Sequence, residues 1–525
     1  MLRGTLAITD LAQRLPVFDG EGIALGASTA QSLRVPALES YLVDAGPSRW
    51  FYVVRERARE PFEDGYGAHH HTVRDIDRYA TLLRAALTWP LDHVVLEVVR
   101  GQWGAKLRVA TGPHGTLPLY FTARRSEIAI SWDFCELLRA QKHAIDFEIA
   151  AHILALDTVY ASRQACTGIS MLTERSNLYF DGSQTRLTYP APAPANYSTL
   201  ALDVDDVGKA FRQLFETALA RRPSQPKQWA VELSGGMDST CVAAGAARST
   251  MPGSLRTAGI SVLGRSAIEQ SVRVRRIIEA LDTVDYRVPI ADAMPDLCPE
   301  PRSCELEPPL SEFYREAFQR IWSEMAKQGA TELFSGIGGD ELAPVYEDAP
   351  GAAVLQPSPP FAILTPRARD AASTCLPDHA PPSRIPSTSL LAHACRSPYL
   401  VRSGLWPVNL LCDPDLIDFC HSLPDAHRLG RKPLRRYCEG ILGNDLFRPG
   451  YKKETFAAVL PQAVIHHHRA IALQLRDSAL AAIGLVDLPA VHALLEHVVA
   501  TRDEAGCGQL AFFLALERFA RQLEP

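Results

Sequence analysis

The chain has 525 residues, too many for one ordinary core, so two domains are expected. Its 47% hydrophobic and 22% charged residues are typical of a soluble globular protein, and a net charge of −6 argues against a general nucleic-acid or membrane-surface binder. No apolar run approaches the ~18 residues of a membrane span. The opening MLRGTLAITD lacks a signal-peptide pattern, and eleven scattered cysteines, never spaced C-x-x-C, read as reduced thiols of a cytoplasmic protein.

In chain order, the first third carries alternating runs that predict strands: LRVATG (107–112), LPLYFTA (117–123) and EIAISW (127–132). YPAPAPANYS (189–198) continues neither strand nor helix and reads as a short, stiff linker. Helical periodicity follows over 205–222, then a strand at WAVEL (229–233) and a helix from about Ser239. Strands at TAGISVL (257–263), TVDYRVPI (283–290) and TELFSG (331–336) alternate with helices near 267–281 and 311–328. That alternation predicts a parallel sheet covered on both faces, with ligands beyond the carboxyl ends of its strands. Residues 344–407 hold a dozen prolines and little periodicity, which predicts an active-site cover or partial disorder.

VELSGGMDST (231–240) lies at such a carboxyl end. It is not a Walker A loop, because no G-K-[ST] follows the glycines. Ser234 and Ser239 offer hydroxyls, and Gly235 and Gly236 let backbone approach phosphate oxygens. Asp238 would repel phosphate unless a divalent cation lay between, so Mg²⁺ is implied. LFSGIGGDEL (333–342) again runs a strand into Ser-Gly-x-Gly-Gly and then acids. Two such loops at neighbouring strand ends would enclose one nucleotide, and Asp340 could give the same Mg²⁺ a second carboxylate.

S-G-G-x-D-S followed by S-G-x-G-G-D-E resembles the asparagine synthetase superfamily, ATP pyrophosphatases that adenylate a carboxylate. The resemblance implies an α/β protein in two parts. Residues 1–195 would form a degenerate glutaminase-like, Ntn-hydrolase-like sandwich, and residues 200–525 an adenine-nucleotide α-hydrolase-like synthetase domain with a parallel sheet. It implies that Ser234, Gly235, Gly236, Asp238 and Ser239 hold pyrophosphate and Mg²⁺. Leu233, Val262, Ser335 and Gly336 match positions lining adenosine, and Asp340 matches the second metal-binding acid. LIDFCHSLP (416–424), RKPLRR (431–436) and FRPGYKKETF (447–456) follow as the family's late segments do. On that alignment Lys432 is a support and Lys453 the cation facing the phosphates and the reacting carboxylate, with Lys452 in its place if the register slips by one. A lysine there suits the charge that develops on the leaving pyrophosphate. RVATGPHGTLPLYF (108–121) and TGISMLTERSNLYF (167–180) resemble two glutaminase-domain stretches.

Two departures narrow the expectation. A glutaminase of this type needs cysteine as its first mature residue, whereas this sequence opens Met1-Leu2 and its first cysteine is Cys135. Glutamine is therefore not expected to supply nitrogen by that route. Asparagine synthetases usually carry Glu, and β-lactam synthetases Tyr, where this chain has Ile337 in its second loop. An aliphatic side chain takes no proton, which favours a lasso peptide cyclase. There a peptide's own α-amine, with a pKa near ~8, attacks an adenylated Asp or Glu side chain. The expected partners are a precursor peptide and the leader peptidase of the same pathway, with neither nucleic acid nor membrane. A small-molecule ligase of the β-lactam or simple-amide kind is the alternative enzyme, and a non-catalytic nucleotide-binding scaffold the alternative class.

Histidine runs at 69–71 and 466–468 lack the spacing of metal ligands and read as surface or partly buried residues. The acids around Glu305 and Glu307 read as a solvated loop. Glu269 matches a family acid after the second strand, and equally a charge placed to complement a helix N-terminus.

Overall fold

A strand reading Arg49–Glu56 buries both of its faces, and that fact organises the first half of the molecule. In the computed structural model Trp50, Tyr52 and Val54 point into a core shared with Leu2, Leu6, Ile128 and Ile130 of a facing sheet. Phe51 and Val53 point the other way, onto Tyr79, Leu82 and Ala86 of the helix Ile76–Leu87. The structure describes residues 1–59, 69–190, 204–222, 226–263, 265–298, 300–301, 306–343, 363–447, 451 and 459–523.

The two facing sheets have seven strands each. One runs in the order Ser170–Leu172, Leu119–Arg124, Glu127–Ser131, Leu2–Ala7, Ser28–Ser32, Gly22–Leu25, Val17–Phe18. The other runs Thr185–Thr188, Asn177–Phe180, Gly104–Thr111, His93–Gly101, Arg49–Glu56, Leu38–Asp44, His70–Thr72. The three strands expected from alternation are present, each within a few residues of its predicted ends. The Tyr52 hydroxyl crosses between the sheets to donate to the Glu21 carbonyl at 2.7 Å.

The second half is built on five parallel strands in the order Val284–Pro289, Arg256–Ser261, Trp229–Glu232, Glu332–Phe334, Trp406–Val408. Four of these were legible as apolar runs. One face, with Ala230, Ala258, Ile260, Val288 and Leu333, packs on Ile321, Trp322 and Met325 of the helix Arg315–Lys327. The other face, with Val231 and Phe334, meets the helices Met237–Arg248 and Val204–Ala220. Burial on both faces explains why the inner strands Arg256–Ser261 and Trp229–Glu232 are largely apolar rather than alternating, whereas the edge strand Val284–Pro289 carries Asp285 and Arg287.

The expectation for 344–407 needs correction over its described part, because residues 363–407 are ordered into helices and the sheet's edge. They form the helices Pro366–Ala372 and Ser387–Arg402 and enter the edge strand Trp406–Val408. The prolines fit there for local reasons. Pro366 sits in the first turn, where no N–H is needed, behind a Thr365 cap that accepts from Ala368 N–H at 3.2 Å. Pro407 lies on an edge strand, where a missing donor is tolerated. Residues 344–362 and most of the expected linker, from 191 on, lie outside the described residues.

Glu307 also differs from expectation. It is 6% exposed and paired with Arg315 at 3.0 Å and Arg518 at 3.2 Å, so it belongs to a buried ion network; Glu305 lies outside the described residues. The reason is tertiary, since Arg518 comes from the last helix, Glu504–Leu523. That helix also reaches the first half, where Gln509 donates to the Leu154 carbonyl at 2.9 Å and Phe519 meets Phe134 at 6.0 Å. Among the described residues no helix is long and apolar enough to cross a membrane.

Candidate active site

The strand Trp229–Glu232 lies in the middle of the parallel sheet. The chain first builds outward on one side, to Val284–Pro289, and then returns to lay Glu332–Phe334 against the other side. The connections after these two neighbours therefore diverge, opening a crevice at their carboxyl ends, the usual ligand position in such sheets. Both Ser-Gly loops emerge there.

The first loop is folded on its own hydroxyls. Ser234 N–H donates to Ser239 Oγ at 3.1 Å, the two seryl oxygens lie 3.0 Å apart, and Gly236 N–H donates to Ser234 Oγ at 3.2 Å. Gly235 has φ +86°, and a Cβ there would stand 2.7 Å from Val274 Cγ2, so glycine is needed for both conformation and space. The second loop packs directly on the first. A Cβ on Gly336 would meet Ser239 N at 2.9 Å, and one on Gly339 would meet the Asp238 carboxyl at 2.3 Å. Ser335 Oγ donates to Asn409 Oδ1 at 2.6 Å and accepts from Ile337 N–H at 3.2 Å, which fixes the loop to the end of the edge strand.

Three successive carbonyls of the first loop are tied back into the protein. Leu233 O accepts from Arg287 Nη1 at 2.5 Å, Ser234 O from Gln270 Nε2 at 2.9 Å, and Gly235 O from Arg273 Nε at 2.8 Å. Gln270 is 3% exposed; its Nε2 also donates to Ile260 O at 3.1 Å, and its Oε1 accepts from Val262 N–H at 3.0 Å. Carbonyl lone pairs that would repel phosphate are thus occupied, and two guanidinium groups stand behind the loop. Burial pulls Arg273 below its ordinary range, opposed by Tyr451 and then Glu269. Its guanidinium lies 5.0 Å over the Tyr451 ring, whose hydroxyl burial pushes up to about 12. Glu269 itself is exposed, and its buried neighbour Gln270 makes the contacts.

Asp238 and Asp340 are brought together by a residue that sequence reasoning passed over. Arg431 bonds Asp238 Oδ2 at 3.2 Å through Nη1, bonds Oδ1 through Nη2, and lies 3.4 Å from Asp340 Oδ1. Lys432, expected as a support, instead donates from Nζ to the Ala426 carbonyl at 2.9 Å. Only the reversal of chain direction at Arg431, where φ is +56°, distinguishes the two, and a Gly-Arg-Lys string does not reveal it. Leu233 and Val262 are buried at the loop's flank, and Ile337 is half-buried with its carbonyl accepting from Cys412 Sγ at 3.5 Å. Lys453 and its alternative Lys452 lie outside the described residues.

Two carboxylates converging on one cationic group suit Mg²⁺, which takes one or two protein carboxylates and completes its shell with phosphate oxygens and water. Among the described residues no group of three or more His, Cys, Asp or Glu is arranged to hold a metal unaided. His70 is engaged with Asp44 at 2.5 Å, and His466–His468 lie along the helix Val459–Gln474.

Residues 210–390 match the family model described as asparagine synthase. The match takes in both loops. Among solved structures, the chain is similar to NMN synthetase from Francisella tularensis at 13% identity and a TM-score of 0.18. That likeness covers 27% of this chain and 58% of that one, so the chain spans under two thirds of that relative. It is also similar to glutamine phosphoribosylpyrophosphate amidotransferase from B. subtilis, complexed with ADP and GMP, at 10% identity and a TM-score of 0.20, covering 64% of this chain and 81% of that one. Likenesses this slight bear on neither substrate nor mechanism. A search of curated proteins returns no match.

Proposed function

We propose that the protein is an ATP- and Mg²⁺-dependent carbon–nitrogen ligase that adenylates an Asp or Glu side chain of a peptide and closes a macrolactam with that peptide's N-terminal amine. The observation that carries the reading is the packing of two Ser-Gly loops at the switch point, with Asp238 and Asp340 on one guanidinium. In this reading the first loop, with Ser234, Gly235, Gly236 and Ser239, receives the phosphates, and its occupied carbonyls keep lone pairs away from them. Leu233, Val262, Ser335 and Gly336 line the adenosine. Mg²⁺ held by Asp238 and Asp340 would supply charge compensation for the leaving pyrophosphate. The resemblance gives the cation that answers the same charge to Lys453, or to Lys452.

Ile337 supports the peptide over a small substrate. It supplies no acid or base, and an α-amine with a pKa near ~8 already holds a useful neutral fraction at pH 7 and needs little help. A precursor peptide and a leader peptidase are the proposed partners, and the cytoplasm the proposed location. The test is mass spectrometry of leader-free peptides with ATP and Mg²⁺. A peptide with a free N-terminus and an internal Asp or Glu should lose one water as AMP appears. If such peptides give neither product while a small β-amino acid gives both, the small-molecule ligase replaces the cyclase. If no substrate gives AMP or pyrophosphate, the ligase reading itself fails and a nucleotide-binding scaffold remains.

A further inference from the structure

Arg431 touches both acids of the candidate site, a role that neither the loops nor the family pattern anticipates. Its side chain is 2% exposed, and its backbone holds a left-handed conformation that costs a non-glycine residue energy. Such strain persists only where surroundings over-determine it, and here they do. Pro433 and Leu434 are buried in the first turn that follows, and the guanidinium fork meets both oxygens of Asp238 while also reaching Asp340. A planar fork on a carboxylate is among the stronger charge pairs a protein makes.

Resting on the nucleotide reading above, we propose that Arg431 is the internal counter-cation of the two acids, holding them in register in the free protein and opposing a divalent cation there until a phosphate arrives to receive the guanidinium. The guanidinium offsets one of the two carboxylate charges. Metal entering alone would lie beside a buried positive group and break its hydrogen bonds. A polyphosphate reverses the balance, because it gives the guanidinium an anionic partner and leaves the carboxylates to the metal. Metal and phosphate binding are then positively coupled, and the coupling is reciprocal. The arrangement would suppress metal loading of the empty site and couple completion of the electrostatic set to the nucleotide.

The test uses the full-length protein and two probes, Mn²⁺ alone and inorganic pyrophosphate alone. Arg431→Gln should bind Mn²⁺ about tenfold or more tightly than wild type, the worth of one charge-assisted hydrogen bond. It should bind metal-free pyrophosphate about tenfold more weakly, and Asp238→Asn added to Arg431→Gln should erase the gain in Mn²⁺ affinity. An unchanged Mn²⁺ affinity overturns the proposal, and so does an unchanged pyrophosphate affinity. Should Arg431→Gln not fold, Arg431→Lys keeps a charge and gives up the fork; it should bind Mn²⁺ more tightly and pyrophosphate more weakly than wild type, and no change in either overturns the proposal. ATP–pyrophosphate exchange by the wild type is read separately. Exchange with flat binding responses removes the role of Arg431 alone, whereas absent exchange with every substrate removes the ligase reading.

Discussion

Asp238 and Asp340 share one guanidinium in different surroundings, since the first side chain is 16% exposed and the second 44%. Removing the charge of Asp238 strips the buried Arg431 of its bidentate partner, and breaking a pair of that kind costs about 2–4 kcal/mol after allowance for partial exposure. Removing the charge of Asp340 breaks a longer contact near water, worth ~0–1 kcal/mol. Asp238→Asn should therefore lower unfolding free energy clearly and Asp340→Asn barely, while both abolish ATP–pyrophosphate exchange. Equal destabilisation in urea titrations would contradict the geometry, and normal exchange in either folded variant would remove that acid from the metal site. Both acids were legible because they follow glycines at strand ends. Arg431 was not, because its approach depends on a left-handed turn that brings a distant segment back over the first loop.

The unit that positions the first loop is the helix Arg265–Leu281 with the strand Val284–Pro289 behind it. Between them they give one side chain to each of three consecutive carbonyls. Gln270 has the most demanding role, donating twice and accepting once, which a side-chain amide can do and a carboxylate cannot. Gln270→Glu should therefore behave worse than its size suggests. The ionised form places a charge beside two carbonyls and leaves both without their donor, a loss of about 2–4 kcal/mol. ATP affinity measured by calorimetry should fall ~10-fold or more through the displaced loop. Affinity within twofold of wild type would show that the loop holds its shape without this brace. The helix itself was visible in its periodicity. The role of Gln270 was hidden behind the neighbouring acid Glu269, because burial at one turn of a helix is set by what packs on it.

Across the whole molecule, the helix Ser387–Arg402 joins the halves. Its Leu390 and Ala394 line a small cavity with Asp92, His93, Gly115 and Glu174 of the first half. His393 is buried among the same groups, and burial pushes it down to about 4 from 6.5, with Asp92 pulling the other way and His114 adding to the depression. The sign follows directly. The folded state holds the neutral ring while the unfolded chain takes a proton below about 6.5, so this stabilisation is complete above that pH and is lost as pH falls toward 4. Between pH 7 and pH 4.5 the loss from this one group is about 2 kcal/mol. His393→Leu should remove that part of the acid slope, measured by urea unfolding at the two values, and an unchanged slope would mean that the ring titrates in contact with water. His93, also lowered chiefly by burial, contributes in the same direction and remains in the variant.

The sequence by itself determined what depends on neighbours along the chain. Alternation marked strands of the sandwich, and apolar runs between helices marked four of the five parallel strands. Glycine and hydroxyl strings marked two loops at strand ends. Tertiary structure decided what depends on residues far apart. The short edge strand Trp406–Val408 forms because Glu332–Phe334 offers it a ladder, although its proline argues locally against a strand. Glu307 is buried because Arg315 and Arg518 reach it. Arg431 rather than Lys432 meets the acids, because one left-handed residue turns the chain and a buried guanidinium is stable where a carboxylate pairs with it.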